Sequence, residues 1–338
     1  MIKRILVVNV NWMGDVVFSS PIFKALKEAY PQSLISCLAP PRGKEILESI
    51  PHLDEIIIYD EEKEHRGPFA KLKLIGELKK RKFDIAFLLH RSLTKALFVY
   101  WAGIRERVGY DAKNRGWMLT HRVKESTTDV HRCDYYLRVI ESFGVKVSDR
   151  FAALHVNPKA QDEIEQILHS KGMDEKDFLI VVNCGGNWDL KRWPKENFSR
   201  LIESLRREFN AKVVISGAKN DIGLVKSIIG PLTVTPIILT GQINLKQLIA
   251  LMHKAQVVIS ADTGPLHLAN AVGARVVGLF GPTRPEVTGP RGRGDTFILQ
   301  HDVGCNREPC YYLECPENTC MQSITVEDVL EKIRQIKR

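Results

Sequence analysis

Three short stretches of this chain gather residue types suited to holding a phosphate and moving a proton. The first runs from Val257 to Pro290, where an apolar run, VVISA, leads into Asp262-Thr263-Gly264-Pro265. A small-residue helix is expected from Leu266 to Val272, and a second apolar run from Arg275 to Phe280. The Asp262 loop therefore falls at the carboxyl end of a strand and the amino end of a helix. Helix amides without an intrahelical acceptor, together with the helix dipole, favour an anion there. Gly264 permits close backbone approach, and Pro265 suits a first helical turn. A nucleotide-type ligand is the expectation. His267, one turn into the helix, is either a structural hydrogen bonder or a ligand contact.

The second stretch is Asn183-Cys184-Gly185-Gly186-Asn187-Trp188-Asp189-Leu190-Lys191-Arg192-Trp193-Pro194. A glycine-rich loop with an adjacent lysine can bind a diphosphate. The Walker pattern is absent, and a basic surface loop is the plain alternative. The third stretch is Asn11-Trp12-Met13-Gly14-Asp15, directly after the first apolar run. Here Gly14 permits a tight turn and Asp15 stands near a helix start. Asp15 is either a helix cap or a carboxylate placed as a general base, and the direction of its side chain separates the two. Asp221, after another strand, either accepts ribose hydroxyls or caps a helix. Asn11 and the basic residues Arg66, Arg91, Arg105 and Arg107 are candidate acceptor contacts.

The elements that must position these residues alternate along the whole chain. Apolar runs at Ile5 to Asn9, Leu34 to Ala39, Ile56 to Tyr59, Asp84 to Leu89 and Arg107 to Tyr110 read as strands. Helical patterns fall between them, at Pro21 to Tyr30, Arg42 to Ile50, Phe69 to Lys80 and Thr94 to Trp101. A helix at Val130 to Phe143 stops at Gly144. The alternation restarts after Pro158, with strands at Phe178 to Asn183, Lys212 to Ser216, Ile237 to Leu239 and Val257 to Ser260. This pattern predicts an α/β chain of two doubly wound parallel-sheet domains, residues 1–157 and 158–323. Ligands are then expected at the carboxyl ends of the strands, in a cleft between domains. A terminal helix, 324–338, is a candidate to pack back on the first domain.

Composition narrows the function classes. A chain of 338 residues with 44% hydrophobic and 26% charged content is ordinary for a soluble protein of two domains. No apolar run is long enough for a transmembrane helix, and MIKRILVVNVNW lacks the cleavage site of a signal peptide. A cytoplasmic protein is expected. The formal charge is +9, with clusters at Lys79-Lys80-Arg81-Lys82, Arg105 to Arg107, Arg206-Arg207 and Arg291 to Arg293. No nucleic-acid motif accompanies them, so they read as solvated faces or as a positive face for a phosphorylated or membrane-bound substrate. Cys305, Cys310, Cys315 and Cys320 stand five apart. Metal ligation, a redox-sensitive pair and inert thiols all remain open for them.

Taken together, ADTGPLHLANAVGARVVGLFGPTRPEVTGP, NWMGDVVFSSPIFKALKEAYP, KRWP and AGIRERVGY resemble the family 9 glycosyltransferases, the bacterial heptosyltransferases of lipopolysaccharide core assembly. The similarity spans nearly the whole chain, and CMQSITVEDVL resembles the end of heptosyltransferase II-type members. The resemblance implies a GT-B fold, two Rossmann-like domains facing a central cleft, and an inverting, metal-independent transfer with no cofactor. It implies ADP-L-glycero-D-manno-heptose as donor and a phosphorylated lipid A–Kdo or inner-core acceptor at the inner membrane surface. The protein is then a monomer, peripheral on that membrane. By motif, Asp15 is implied as general base and Lys191 as the group that neutralises the donor diphosphate. Gly186, Asn187, Asp221, Asp262, Thr263, Gly264, Pro265 and His267 line the implied donor site. One departure is the Gly185-Gly186-Asn187 loop, which offers fewer hydroxyls than the family's usual small polar loop. Another nucleotide sugar or acceptor therefore stays open, as does a non-catalytic nucleotide-binding protein of this fold.

Overall fold

The apolar runs form two six-stranded parallel sheets. The computed structural model describes residues 2–305, 307, 310 and 314–337. The chain divides into two units between His155 and Val156. In the first, β1 (Arg4–Val8), β2 (Leu34–Ala39), β3 (Glu55–Ile58), β4 (Ile85–Leu88), β5 (Glu106–Tyr110) and β6 (His121–Val123) lie in the order β3-β2-β1-β4-β5-β6. In the second, β7 (Leu179–Asn183), β8 (Lys212–Ser216), β9 (Ile237–Ile238), β10 (Val257–Ala261), β11 (Arg275–Leu279) and β12 (Thr296–Leu299) lie in the order β12-β11-β10-β7-β8-β9. Read from β9, the second order repeats the first. Both are Rossmann-like, and in both the order reverses between the first and fourth strands, where ligands of such sheets bind.

Central strands are apolar throughout because helices cover both faces. Leu179 and Val181 of β7 face one layer, with Leu266 and Ala269. Ile180 and Val182 face the other, with Phe198 and Leu201. Truncating one of these fully buried side chains to Ala is expected to cost about 2–5 kcal/mol. Local signals set the helix limits. The Pro158–Ser170 helix opens with proline, and Asn157 Oδ1 accepts the Ala160 N–H at 3.1 Å. Gly172, at φ +75°, lies just beyond its end.

Four features differ from the sequence expectation. Met13–Phe18 is itself a helix, so Gly14 lies inside its first turn and makes no tight turn. Strands β6 and β12 complete the two sheet edges, although HRV and TFIL carry too few residues for periodicity to declare them. Arg42 to Ile50 is a short 3₁₀ turn followed by a one-turn helix, Lys44–Leu47. The terminal helix, Val326–Lys337, stays within the second unit. Its Val329, Leu330 and Ile333 join the apolar cluster of Phe198, Leu201 and Leu205 on the Lys195–Phe209 helix. At its far end Arg334 meets Glu208 at 2.8 Å, and Lys337 Nζ donates to the Phe209 carbonyl at 3.1 Å. Arg338 lies outside the described residues.

Cys305 and Cys315 are exposed, and Cys310 and Cys320 half-buried. Among the described residues, no three His, Cys, Asp or Glu side chains gather as metal ligands.

Candidate active site

In the second unit the Asp262 loop follows β10 and opens the Gly264–Ala271 helix. The Asp262 side chain is almost fully buried, and four side chains surround its two oxygens. Lys191 Nζ lies 2.6 Å from Oδ2 and also donates to the Asp262 carbonyl at 3.1 Å. Thr283 and Thr288 donate their hydroxyls to Oδ2 at 2.7 and 3.2 Å. His267 Nε2 stands 3.2 Å from Oδ1. Burial works to raise this carboxyl, but the His267 hydrogen bond and charge, with Lys191, outweigh it. Asp262 is therefore held well below the usual carboxylate range and stays ionised. The motif residues Lys191, Asp262 and His267 thus come together, with Asp262 as the organiser of the loop. Thr283 and Thr288 follow β11 and escaped the sequence reading, although the carboxyl end of a neighbouring strand was the place to look.

The loop after β7 closes against this group. Arg192 donates twice to the Gly186 carbonyl, at 2.7 and 3.1 Å, and meets Asp189 at 2.7 Å. Buried Trp193 donates its indole N–H to the Ile324 carbonyl at 2.9 Å and anchors the KRWP run. A Cβ at Gly186 would stand 3.0 Å from the Thr263 methyl. One at Gly185 would stand 2.1 Å from Asp221 Oδ2. Both glycines are accounted for by close neighbours, so the missing hydroxyls follow from packing. Asp221 is buried and its Oδ2 accepts the Ala218 N–H at 2.8 Å, so the structure places it as a cap and loop support. Asn187 is exposed on the same loop, while Thr263, Gly264 and Pro265 are half-buried at the helix start. The Gly264 N–H opens that start, Pro265 carries no N–H, and the Leu266 N–H donates to the Thr263 carbonyl at 3.1 Å.

In the first unit Asp15 lies in the first turn of Met13–Phe18 and makes no cap hydrogen bond. Its Oδ1 instead accepts the Tyr136 hydroxyl at 2.8 Å, from the Arg132–Glu141 helix. Burial and then the Asp15 charge push the Tyr136 hydroxyl well above its ordinary pKa, so it remains a donor. Asn11 Oδ1 accepts from Lys95 Nζ at 2.8 Å, and the Asn9 carbonyl lies 3.4 Å from the same amine. Lys95, on the Leu93–Trp101 helix, is 4% exposed. Burial brings it down to about 8. Burial, and then the charges of Lys95, Arg115 and Lys113, bring His90 down to about 4. Lys95 and Arg91 thus bring positive charge to the carboxyl edge around β1 and β4, and the carboxylates Asp15, Glu61 and Glu125 lie near it.

The basic candidates separate. Arg91 follows β4 and pairs with Glu125 at 2.9 Å. Arg66 is exposed in the loop after β3. Arg105 precedes β5 and so lies at the amino edge of the sheet, about 15 Å of strand away from the Asp15 edge. It does not join the group, because the AGIRERVGY run enters its strand at Glu106. Arg107 is tied to the Ile104 and Met118 carbonyls by its guanidinium at 2.5 Å each. Tyr136 and Lys95 carried no local signal in the sequence.

A model of glycosyltransferase family 9 (heptosyltransferase) matches residues 71–319. The chain is 24% identical over 311 residues to lipopolysaccharide core heptosyltransferase OpsX of Haemophilus influenzae, covering 90% of this chain and 87% of that one. It is 25% identical over 300 residues to lipopolysaccharide heptosyltransferase 2 of Escherichia coli, covering 85% of each. The family 9 glycosyltransferase of Veillonella parvula shares the fold, with TM-score 0.87 at 24% identity over 99% of this chain and 97% of that one. ADP-heptose heptosyltransferase II of Escherichia coli does so with TM-score 0.82 at 22% identity, over 99% and 98%. Two Rossmann-like units of this kind are the GT-B architecture. With more than half of its length matched by the family model, the chain belongs to glycosyltransferase family 9, the heptosyltransferases.

Proposed function

We propose that this glycosyltransferase moves a heptose from ADP-L-glycero-D-manno-heptose to the inner core of lipopolysaccharide, with inversion and without a metal ion. The observation that carries the reading is the Lys191–Asp262 group at the start of the Gly264–Ala271 helix, with Asp15 at the equivalent edge of the first unit. The donor diphosphate would sit against the Thr263 and Gly264 backbone, near Lys191. As the bond from the anomeric carbon to phosphate breaks, negative charge builds on the leaving ADP. A lysine and helix amides are suited to receive it without a cation. Asp15 would take the proton of the acceptor hydroxyl while that oxygen bonds to the anomeric carbon from the face opposite ADP. One proton passes to Asp15, one carbon–oxygen bond forms, and one breaks.

Asp262 serves this scheme by holding Lys191 and the loop, since its oxygens are already occupied. The acceptor would be a phosphorylated lipid A–Kdo or inner-core saccharide, drawn to the edge that carries Lys95 and Arg91. A monomer working at the cytoplasmic face of the inner membrane fits this role. No helix among the described residues is long and apolar enough to cross a membrane. Two relatives, named as lipopolysaccharide heptosyltransferases, support the substrate class.

Calorimetry with ADP-heptose, and with UDP-, GDP- and CMP-sugars, tests this in buffer containing a chelator. Selective ADP-heptose binding that weakens about tenfold or more in Lys191→Ala is expected. Preference for another nucleotide sugar would overturn the donor assignment. Binding that returns only with added divalent cation would overturn metal independence.

A further inference from the structure

Of the two hydroxyls on Asp262, that of Thr283 belongs to a turn gripped from behind by the end of the chain. Thr283 follows β11 in the turn Gly281-Pro282-Thr283, and all three residues are buried. Its side chain donates to Asp262 Oδ2 at 2.7 Å, on the oxygen that Lys191 Nζ meets at 2.6 Å. A hydroxyl and an ammonium on one oxygen fix the plane of the carboxylate, with Oδ1 toward His267 at 3.2 Å. Thr288 adds a longer bond to Oδ2, at 3.2 Å, from a helix of a single turn, Pro285–Thr288.

Three residues beyond β12 meet that turn. Gln300, directly after β12, donates its side-chain amide to the Thr283 carbonyl at 3.1 Å. Cys310 donates its backbone N–H to the Pro282 carbonyl at 2.8 Å. Met321 is fully buried and lies flush on Gly281, where a Cβ would stand 2.6 Å from its Sδ and 3.1 Å from the Cys320 Sγ. A side chain at position 281 is therefore excluded, and glycine lets the two segments close. Met321 also joins the apolar cluster that holds Trp193, two residues after Lys191. The end of the chain thus braces both sides of the Lys191–Asp262 pair. Cys310 acts here through its backbone, so the late cysteine segment supports the site independently of thiol chemistry.

We propose that Thr283 is a positioning residue for Lys191, and that Gln300, Cys310 and Met321 strap its turn in place. The strap sets Thr283, Thr283 sets the Asp262 carboxylate, and Asp262 holds Lys191 where the donor diphosphate would arrive. Only that last consequence rests on the donor site proposed above. Thr283 and Gln300 act through Asp262, not on the donor itself.

Thr283→Val, Thr283→Ser, Gln300→Leu and the Thr283→Val, Gln300→Leu pair test this in the full chain. In Thr283→Val, Lys191, His267 and Thr288 still satisfy Asp262, so the variant should fold. The first readout needs no ligand: acetylation of Lys191 by acetic anhydride, read by mass spectrometry against exposed Lys195. Without the Thr283 hydroxyl the carboxylate can turn, so Lys191 should be labelled several-fold faster. The second readout is calorimetry with ADP. Thr283→Val is expected to weaken binding about tenfold and Gln300→Leu about threefold, while Thr283→Ser matches the parent. The double variant should bind no more weakly than Thr283→Val, because both changes act through one hydroxyl. Unchanged Lys191 labelling in Thr283→Val would overturn the proposal, as would losses that multiply in the double variant. A parent that binds no ADP, with labelling raised in both single variants, would overturn the donor reading and leave the strap standing.

Discussion

The two units share a topology and differ in what they place at its reversal point. In the second, a buried carboxylate after β10 is enclosed by Lys191, His267, Thr283 and Thr288. In the first, a half-buried carboxylate after β1 accepts one hydroxyl, from Tyr136. The nearby cation, Lys95, faces neutral oxygens of Asn9 and Asn11. One carboxylate is fully occupied and serves to fix a loop. The other retains acceptor capacity and is free to take a proton. The same sheet order therefore supports an enclosed carboxylate in one unit and a more open one in the other, and the loops alone decide which.

The contrast breaks most visibly at the two carboxylates. Asp15→Asn preserves shape and is expected to lower kcat about 10³-fold, with stability changed by less than about 1 kcal/mol. Near-normal turnover would remove Asp15 as the base. Asp262→Ala should do the reverse first, costing about 3 kcal/mol of stability by leaving Lys191 without its buried partner. Urea denaturation measures it. The folded-state pKa of Asp262 is lowered, so its stabilisation is complete above the unfolded carboxylate value of about 4 and fades as pH falls below that. The gap between parent and variant should therefore close in acid. A gap independent of pH would mean that packing, not charge, holds the loop.

Legibility followed distance along the chain. Lys191 and the Asp262 loop stood out because glycine, proline and polar residues mark strand-to-helix turns locally, where a few adjacent residues determine the geometry. Asp15 stood out for the same reason, but its partner did not. Tyr136 lies 121 positions away, and only the packing of the Arg132–Glu141 helix brings it to the end of β1. Lys95 reads as an ordinary helical lysine until the fold buries it 84 positions from Asn11. Arg105 shows the opposite error: a basic residue in a family motif was assigned to the acceptor, and a register of one strand put it at the other edge. The terminal helix was uncertain because an amphipathic stripe states that a face is buried, not against which neighbour.

Lys95 sharpens the comparison at intermediate size. Its folded pKa falls from 10.5 to about 8, chiefly through burial. The folded state then releases its proton before the unfolded state does, so the parent should gain stability as pH rises from about 8 to 10.5. The full shift corresponds to about 3 kcal/mol as an upper bound. Lys95→Met removes the buried charge and its bond to Asn11, and should be more stable than the parent at pH 7 by about 2 kcal/mol. That advantage should vanish by the upper end of the window. A parent whose stability is flat across the window would mean that its amine is solvated.

The smallest expected effect is the most diagnostic of the first unit. Tyr136 contributes one hydrogen bond to Asp15 and is otherwise buried, so Tyr136→Phe removes an oxygen and little else. If that hydroxyl aims the carboxylate, kcat should fall about tenfold while the KM values of both substrates hold, because neither is proposed to touch Tyr136. If instead KM rises and kcat holds, the hydroxyl acts on substrate binding. An unchanged enzyme would mean that the helix backbone alone positions Asp15. The proposed base would then be set as rigidly as Asp262, by one turn of helix in place of four side chains.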